Sequence, residues 1–197
     1  MPNPDALKLD SYLIRKPKEM DSKTYECLDA NGNKLFDIKC NSLFIDEYTF
    51  SDDTGKVIGI VHKNMLGLAP SLQLMDGSKN IIGVVASKGY TFAGDIRESH
   101  FALEDANGNI IALATGQPTQ FNYVLAYPDG TKQIAKITKS AAETATGILQ
   151  KIEALDVTKS LTIDITDNDF SRLIILQFVM AIIILMVGVR NPRNPGW

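Results

Sequence analysis

The stretch that decides the fold lies near the C-terminus and reads Leu173-Ile-Ile-Leu-Gln-Phe-Val-Met-Ala-Ile-Ile-Ile-Leu-Met-Val-Gly-Val189. Gln177 is the one polar side chain in it, so a helix formed here would be apolar on every side. Such a helix must be buried, either inside the protein or in lipid. Its length of about 26 Å reaches the short end of the range that spans a bilayer. Taken alone, the segment therefore indicates a C-terminal membrane anchor, and the rest of the chain must decide.

The remainder of the chain consists of short alternating runs between turn signals. Phe36 and Ile38 alternate with polar residues, as do Leu161, Ile163 and Ile165, and a period of two is typical of half-buried strands. Turn pairs such as Asn-Gly and Asp-Gly predict hairpins in which glycine takes a positive φ, at Gly32, Gly55, Gly77, Gly108 and Gly130. Five hairpins require at least ten strands, mostly antiparallel, and the absence of interleaved helices disfavours a parallel α/β sheet.

Barrel geometry offers a second place for the apolar helix. Eight strands close into a barrel that their own side chains fill, whereas about eleven leave room for a helix on the axis. A barrel of ten or more strands with nothing inside would contain a void that a folded protein does not tolerate. The helix fits that space, and its predicted core residues are Leu173, Leu176, Val179, Ile183 and Met186. The two placements compete, because an anchored helix would leave the barrel empty.

An internal echo suggests how the strands are organised. Asp29-Ala-Asn-Gly-Asn33 recurs as Asp105-Ala-Asn-Gly-Asn109, an offset of 76 residues, and Tyr25 meets Phe101 at the same offset. One interpretation is two repeated sheet units that close on each other. The alternative is that separate hairpins reuse the same turn chemistry.

Two further segments carry helical signals. Apolar residues recur at three- and four-residue spacing in 140–156, which predicts a short helix. Asp167-Asn168-Asp169 supplies candidate N-cap residues for the C-terminal helix. Arg190 and Arg193 follow that helix, at the end where its dipole favours cations.

Composition excludes several classes of protein. The 197 residues are 45% hydrophobic and 22% charged, which excludes wholesale disorder. A formal net charge of -3 argues against a nucleic-acid binder, since those proteins carry a basic excess. Two cysteines and a polar N-terminus without an apolar run predict a reducing, cytoplasmic location.

Catalytic and metal-binding signals are poor. The chain contains no nucleophile elbow, phosphate-binding glycine loop or zinc-protease motif, so we expect no enzymatic activity and no cofactor. Cys27, Cys40, His62 and His100 lack the close spacing of zinc ligands and are better explained as scattered strand residues. The Asp-x-Asn-x-Asn turns lack the glycine and glutamate that a calcium-binding EF-hand loop requires.

Several segments, in order along the chain, resemble a known group of families. Leu9-Asp-Ser-Tyr-Leu-Ile-Arg-Lys16, Thr24-Tyr-Glu-Cys-Leu-Asp-Ala-Asn-Gly-Asn-Lys-Leu-Phe36 and Gly55-Lys-Val-Ile-Gly-Ile-Val-His-Lys63 resemble a LURP-one-related domain. Ile134-Ala-Lys-Ile-Thr-Lys139 and Ile163-Asp-Ile-Thr-Asp-Asn-Asp-Phe170 resemble the closing part of phospholipid scramblases. These families are similar to the Tubby C-terminal domain, a closed antiparallel barrel around a hydrophobic C-terminal helix.

The resemblance implies an architecture and a function. We expect a mainly β protein with about twelve strands around the helix, divided into a tail (1–8), one domain with two pseudo-repeats (9–189) and a second tail (190–197). The implied function is a non-enzymatic, lipid- or membrane-associated binding scaffold that is monomeric and peripheral to the membrane. The alternative is direct phospholipid translocation with Leu173–Val189 as a single-pass anchor.

The resemblance also implies candidate binding residues. Tubby-type domains hold phosphoinositide headgroups with basic side chains, which points to Lys56, Lys63, Lys132, Lys136 and Lys139. An ordinary soluble strand edge would explain the same lysines. Scramblases carry an acidic, calcium-linked stretch before the terminal helix, which makes Asp164, Asp167 and Asp169 the candidates for Ca²⁺. A helix cap and a solvated strand face would explain these carboxylates equally well.

Overall fold

A closed β-barrel makes up most of the molecule in the computed structural model, which describes residues 5–17, 24–41, 47–64, 71–93, 96–118, 120–139 and 160–189. Each strand pairs antiparallel with its neighbours in the sequence, and the first pairs with the last, which closes the ring. The predicted fold class is confirmed. Within the described residues the strands are β1 (Ser11–Arg15), β2 (Thr24–Leu28), β3 (Lys34–Cys40), β4 (Glu47–Ser51), β5 (Val57–Asn64), β6 (Ser71–Asp76), β7 (Ile81–Ala93), β8 (Ile96–Glu104), β9 (Ile110–Gln117), β10 (Asn122–Ala126), β11 (Gln133–Lys139) and β12 (Ser160–Ile165).

The strand registers repeat at the offset found in the sequence. β2 and β3 pair Thr24 with Lys39, and β8 and β9 pair His100 with Thr115, 76 positions later for both partners. The bulge that follows Cys27 also recurs, after Leu103. The barrel therefore contains two halves with the same pairing, a first half (β1–β6) and a second half (β7–β12).

One helix, α1 (Arg172–Val189), threads the barrel. Every residue from Ile175 to Ile183 has at most 1% of its surface exposed, so no side of the helix faces solvent over more than two turns. Helical side chains form one core with the inward residues of the surrounding strands. Of the predicted core positions, Leu176, Val179, Ile183 and Met186 are buried and Leu173 is half-buried.

Contacts on opposite walls fix the helix inside the ring. The Gln177 amide nitrogen donates to the carbonyls of Ile60 on β5 (3.0 Å) and Met75 on β6 (2.8 Å). Across the barrel, the Tyr123 hydroxyl on β10 lies 3.1 Å from the Met186 sulfur. A Cβ at position 59 would lie 2.6 Å from the Gln177 nitrogen, so glycine there makes room for the amide.

The alternative of a single-pass anchor at Leu173–Val189 is not supported, because that segment fills the barrel. Among the described residues, we find no helix with both the length and the apolarity needed to span a bilayer.

Four hairpin turns share one construction. In each, an aspartate carboxylate accepts hydrogen bonds from the backbone amides two and four residues later, and these aspartates are Asp29, Asp52, Asp76 and Asp105. The residue three positions after the aspartate has a positive φ. It is glycine in three of these turns and Lys79, with a φ of 68°, in the turn that follows Asp76. The prediction that Gly77 supplies this conformation is wrong. Glycine is needed at 77 because a Cβ there would lie 2.4 Å from the Val57 carbonyl oxygen.

The helix begins later than the predicted cap. Arg172 is its first residue and the Ile175 amide donates to the Ser171 carbonyl at 3.0 Å, so Ser171 holds the cap position. Asp167, Asn168 and Asp169 precede it and do not cap the helix. The helix predicted in 140–156 and the arginines Arg190 and Arg193 lie outside the described residues.

Candidate functional site

The lysines predicted to bind a headgroup do not form one patch. Lys56 and Lys63 lie just before and on β5, whereas Lys132, Lys136 and Lys139 lie just before and on β11. β5 and β11 are six strands apart in a ring of twelve, which places them on opposite walls. Repeat-equivalent residues are therefore far apart, and the five lysines cannot contact one ligand together.

Lys132 is also committed to a partner within the protein. Its ammonium lies 2.7 Å from the Asp167 carboxylate and 3.9 Å from that of Asp169. Lys136 is exposed and stands in register beside Asp164 of the neighbouring strand. Two of the three lysines on the β11 wall, Lys132 and Lys136, therefore stand beside carboxylates.

Asp167 is the centre of a polar cluster beside the N-terminal end of α1. Its buried carboxylate accepts hydrogen bonds from the Lys132 ammonium (2.7 Å), the Tyr127 hydroxyl (2.7 Å) and the Asp169 amide (3.1 Å). The Lys132 bond and then the Tyr127 bond lower the pKa of Asp167 to about 2. The same bond to Asp167 raises the pKa of Lys132 and that of Tyr127. Lys132 and Asp167 consequently form an ion pair that stays charged across the physiological pH range.

Arg172 joins this cluster to the start of β1. Its guanidinium, which is buried, donates to the carbonyls of Leu9 (3.2 Å), Asp167 (2.8 Å) and Phe170 (3.2 Å). It also donates to the Asp10 carboxylate (3.2 Å) and the Asn168 amide oxygen. We call Asp10, Tyr127, Lys132, Asp167 and Arg172 the closure cluster. Its donors and acceptors bond to one another and link β1, β12 and the start of α1.

The three calcium candidates are not arranged as ligands of one ion. Asp164 accepts a hydrogen bond from the Ser11 hydroxyl (2.8 Å) on the outer wall, Asp167 is bound within the closure cluster, and Asp169 is exposed. Across the described ranges, no three His, Cys, Asp or Glu side chains are grouped to hold a metal ion.

The cysteines and histidines are distributed over four strands. Cys27 is buried on β2, and burial raises the pKa of its thiol, which makes it a poor nucleophile. Cys40 on β3 is half-buried, and His62 on β5 lies 3.6 Å from the Glu47 carboxylate. His100 on β8 bridges the hydroxyls of Thr91 (2.7 Å) and Thr115 (3.2 Å). The structure brings no cysteine–histidine pair together.

A long hairpin in the second half was not anticipated from the sequence. β7 and β8 pair from Val84–Glu104 out to Ala93–Ile96, whereas among the described residues their counterparts β1 and β2 pair at three positions, ending with Arg15–Glu26. The extension carries Phe92, which is 74% exposed, and Tyr90, which is 38% exposed. The Arg97 guanidinium lies 3.6 Å above the Tyr90 ring. We call Tyr90, Phe92 and Arg97 the hairpin tip.

The hairpin tip lies above the end of the barrel where the helix finishes. Tyr90 pairs with Ser99 across the two strands. The buried Ser99 hydroxyl hydrogen-bonds the Tyr123 hydroxyl, which also contacts the sulfur of Met186 near the end of α1. Because side chains alternate along a strand, Arg97 and its partner Phe92 share the face of Ser99. The sequence signal was weak, because Ser87-Lys88-Gly89 interrupts the apolar run of β7 with residues typical of a turn.

The fold defines the class of the protein: a twelve-stranded antiparallel barrel around a central helix. An X-ray structure of a protein from Arabidopsis thaliana is similar to it, with a TM-score of 0.58, 11% sequence identity and coverage of 96% of this chain and 98% of that one. At this identity the similarity shows the fold and nothing about activity. No protein-family model matches the chain, and no curated protein does so either.

Proposed function

We propose that this protein is a non-enzymatic, lipid- or membrane-associated binding scaffold of the LURP-one-related and scramblase type. The family assignment is supported by the ordered sequence resemblance over residues 9–189 and by a barrel with a central helix, the fold that this resemblance implies. The observation that carries the proposal is the filled interior of the barrel.

The filled interior directs binding to the outer surface. Small-ligand carriers built on barrels keep an enclosed cavity for the ligand. Here the inward side chains of the strands pack against α1 in one continuous core, with Phe178, Val179 and Ile182 fully buried at its centre. A ligand must therefore be bound by turns, strand faces or the projecting hairpin.

Catalysis is not part of the proposal, because the polar groups are arranged for structure. The Asp167 carboxylate accepts from Lys132, Tyr127 and the Asp169 amide, and the Cys27 thiol is held in its protonated form by burial. Direct lipid translocation is not proposed either, since it required α1 to lie in the bilayer.

Flotation of the full chain with vesicles tests the proposed function. We expect the protein to float with vesicles of phosphatidylcholine containing phosphatidylserine, and less with phosphatidylcholine alone. A chain that stays at the bottom of the gradient with every composition would show that the protein does not associate with lipid surfaces.

A further inference from the structure

We propose that the hairpin tip, formed by Tyr90, Phe92 and Arg97, is the surface that enters the headgroup layer of an anionic phospholipid bilayer. This inference rests on the proposed function and deepens it, because it assigns lipid contact to the hairpin tip and not to the lysines of β5 and β11.

Phe92 provides the apolar contact. It is the most exposed large apolar side chain in the described part of the protein, and it lies one residue from the end of β7, in the outermost described pairs of the β7–β8 hairpin. A protein partner would need a complementary surface of roughly 800 Å² on each side. A single exposed phenyl ring offers no such area, whereas the acyl and headgroup boundary of a bilayer accepts it without matched shape.

Tyr90 and Arg97 have the chemistry of the headgroup layer. Tyrosine places an apolar ring and a polar hydroxyl across the membrane interface, and arginine extends its cation toward phosphate. Arg97 is stacked on Tyr90 and forms no ion pair with any described residue, while Lys88 on the same hairpin is paired with Glu104 at 2.9 Å. This guanidinium beside Phe92, with no ion-pair partner among the described residues, is therefore complementary to an anionic lipid.

The hairpin is built to hold these side chains in place. Gly89, with a φ of 91°, forms a bulge that resets the register between Ser87 and Gly89. On the opposite face, His100 is bonded to Thr91 and Thr115, which ties β7 to β8 and β9. A contact surface whose backbone is positioned by strand pairing loses less conformational entropy on binding than an unpaired loop would.

Vesicle partitioning of matched variants tests the assignment. Phe92→Ala should weaken partitioning into vesicles containing phosphatidylserine by about tenfold or more, since the phenyl group loses its burial. Arg97→Gln should weaken it by about fivefold at low salt and less at high salt. Ile110→Ala is the control, because Ile110 is 41% exposed but begins β9 at the opposite end of the barrel.

A fluorescent reporter locates the contact directly. Trp197 is the only tryptophan, so Phe92→Trp in a Trp197→Phe background reports from the tip alone. Its emission should shift to shorter wavelength when vesicles are added, and a Trp placed at Ile110 in the same background should not shift. Thermal unfolding of every variant confirms that the barrel remains folded.

The outcomes separate the inference from the proposed function. If the unaltered chain floats and Phe92→Ala floats equally well, the tip is not the contact and the proposed function stands. If Ile110→Ala is as damaging as Phe92→Ala, the assignment to this end of the barrel is wrong. If the unaltered chain never floats, both proposals fail. If Phe92→Ala instead dissociates a dimer detected by size-exclusion chromatography, the tip is a protein contact and the lipid assignment is overturned.

Discussion

Each half of the barrel ends with a strand that pairs with the first strand of the other half, and these two junctions are built differently. In the first half, β6 ends at Asp76, and the chain turns directly into β7, with the Asp76 amide donating to the Asn80 carbonyl at 3.0 Å. In the second half, the equivalent bond runs from the Ile165 amide to the Asp10 carbonyl at 2.7 Å. Asp10 is at the other end of the chain, so β12 and β1 meet without a connecting turn. We call this junction the seam.

The closure cluster stands where the turn is missing. Arg172 donates to Leu9 and Asp10 on the β1 side of the seam and to the Asp167 and Phe170 carbonyls on the β12 side. Closing the five-residue turn between β6 and β7 costs little chain entropy. At the seam, the two strands are separated in sequence by almost the whole domain, so bringing them together costs more. Side-chain hydrogen bonds therefore perform at the seam what the peptide chain performs between β6 and β7.

The largest effect is expected from the element that both halves share. α1 follows β12 in the second half, yet Gln177 binds the carbonyls of β5 and β6 in the first half. Ile183→Asp places an unpaired carboxylate among fully buried side chains, so we expect no soluble folded protein. Ile110→Asp, at an exposed position, should leave a folded domain with a cooperative thermal transition. A folded Ile183→Asp protein would show that the helix is not the common core.

Arg172→Ala tests the seam itself. It removes a buried cation and leaves the carbonyls of Leu9, Asp167 and Phe170 without their donor, so we expect a loss of about 2–4 kcal/mol in urea unfolding. Arg15→Ala is the matched control, because Arg15 forms a half-exposed pair with Glu26 on the adjacent strand. Such a pair is worth about 0–1 kcal/mol. Equal losses for the two variants would mean that the seam needs no side-chain closure.

Asp167 should make the seam sensitive to acid. Its pKa is lowered to about 2 in the folded protein by Lys132 and Tyr127, against about 3.9 in an unfolded chain. Its contribution to stability is therefore present above about pH 4 and is lost as the pH falls toward 2. Asp167→Asn should lose less stability than the unaltered protein between about pH 6 and about pH 3.

Lys132→Met supplies the complementary measurement. Removing the ammonium should raise the pKa of Asp167, as followed by NMR of its carboxyl carbon, because that hydrogen bond is the main cause of the low value. An unchanged Asp167 titration in Lys132→Met would assign the low pKa to Tyr127.

Local patterns account for what the sequence could predict. The period of two and the all-apolar segment depend on neighbouring residues, and they predicted the barrel and a helix within one residue of its observed start. Arg172 could not be placed in the same way, because its partner Leu9 is 163 residues distant. One signal was available, since a cation at the first position of a helix opposes the dipole and so requires a local reason.

The misplaced lysine patch has a different cause. Residues 76 positions apart, such as Lys63 and Lys139, are equivalent in the two halves. Equivalent strands of the two halves lie on opposite walls of the closed ring. Residues that are equivalent in sequence are therefore far apart in the structure. The hairpin tip was missed because its residues are not repeated in the sequence at the offset of 76.

The smallest expected effect concerns the turn between β6 and β7, the counterpart of the seam. Three turns with a leading aspartate have glycine at the position of positive φ, but the turn between β6 and β7 has Lys79 there, and a side chain in that conformation is strained. Lys79→Gly should therefore stabilise the protein by about 0.5–1 kcal/mol in urea unfolding, the strain relief being partly offset by the freedom of glycine in the unfolded chain. Gly108→Ala is the converse, since nothing lies near the added Cβ and only the φ of 83° opposes it. It should destabilise by about 1 kcal/mol. If Lys79→Gly destabilises instead, the Lys79 side chain holds the turn by contacts that outweigh its backbone strain.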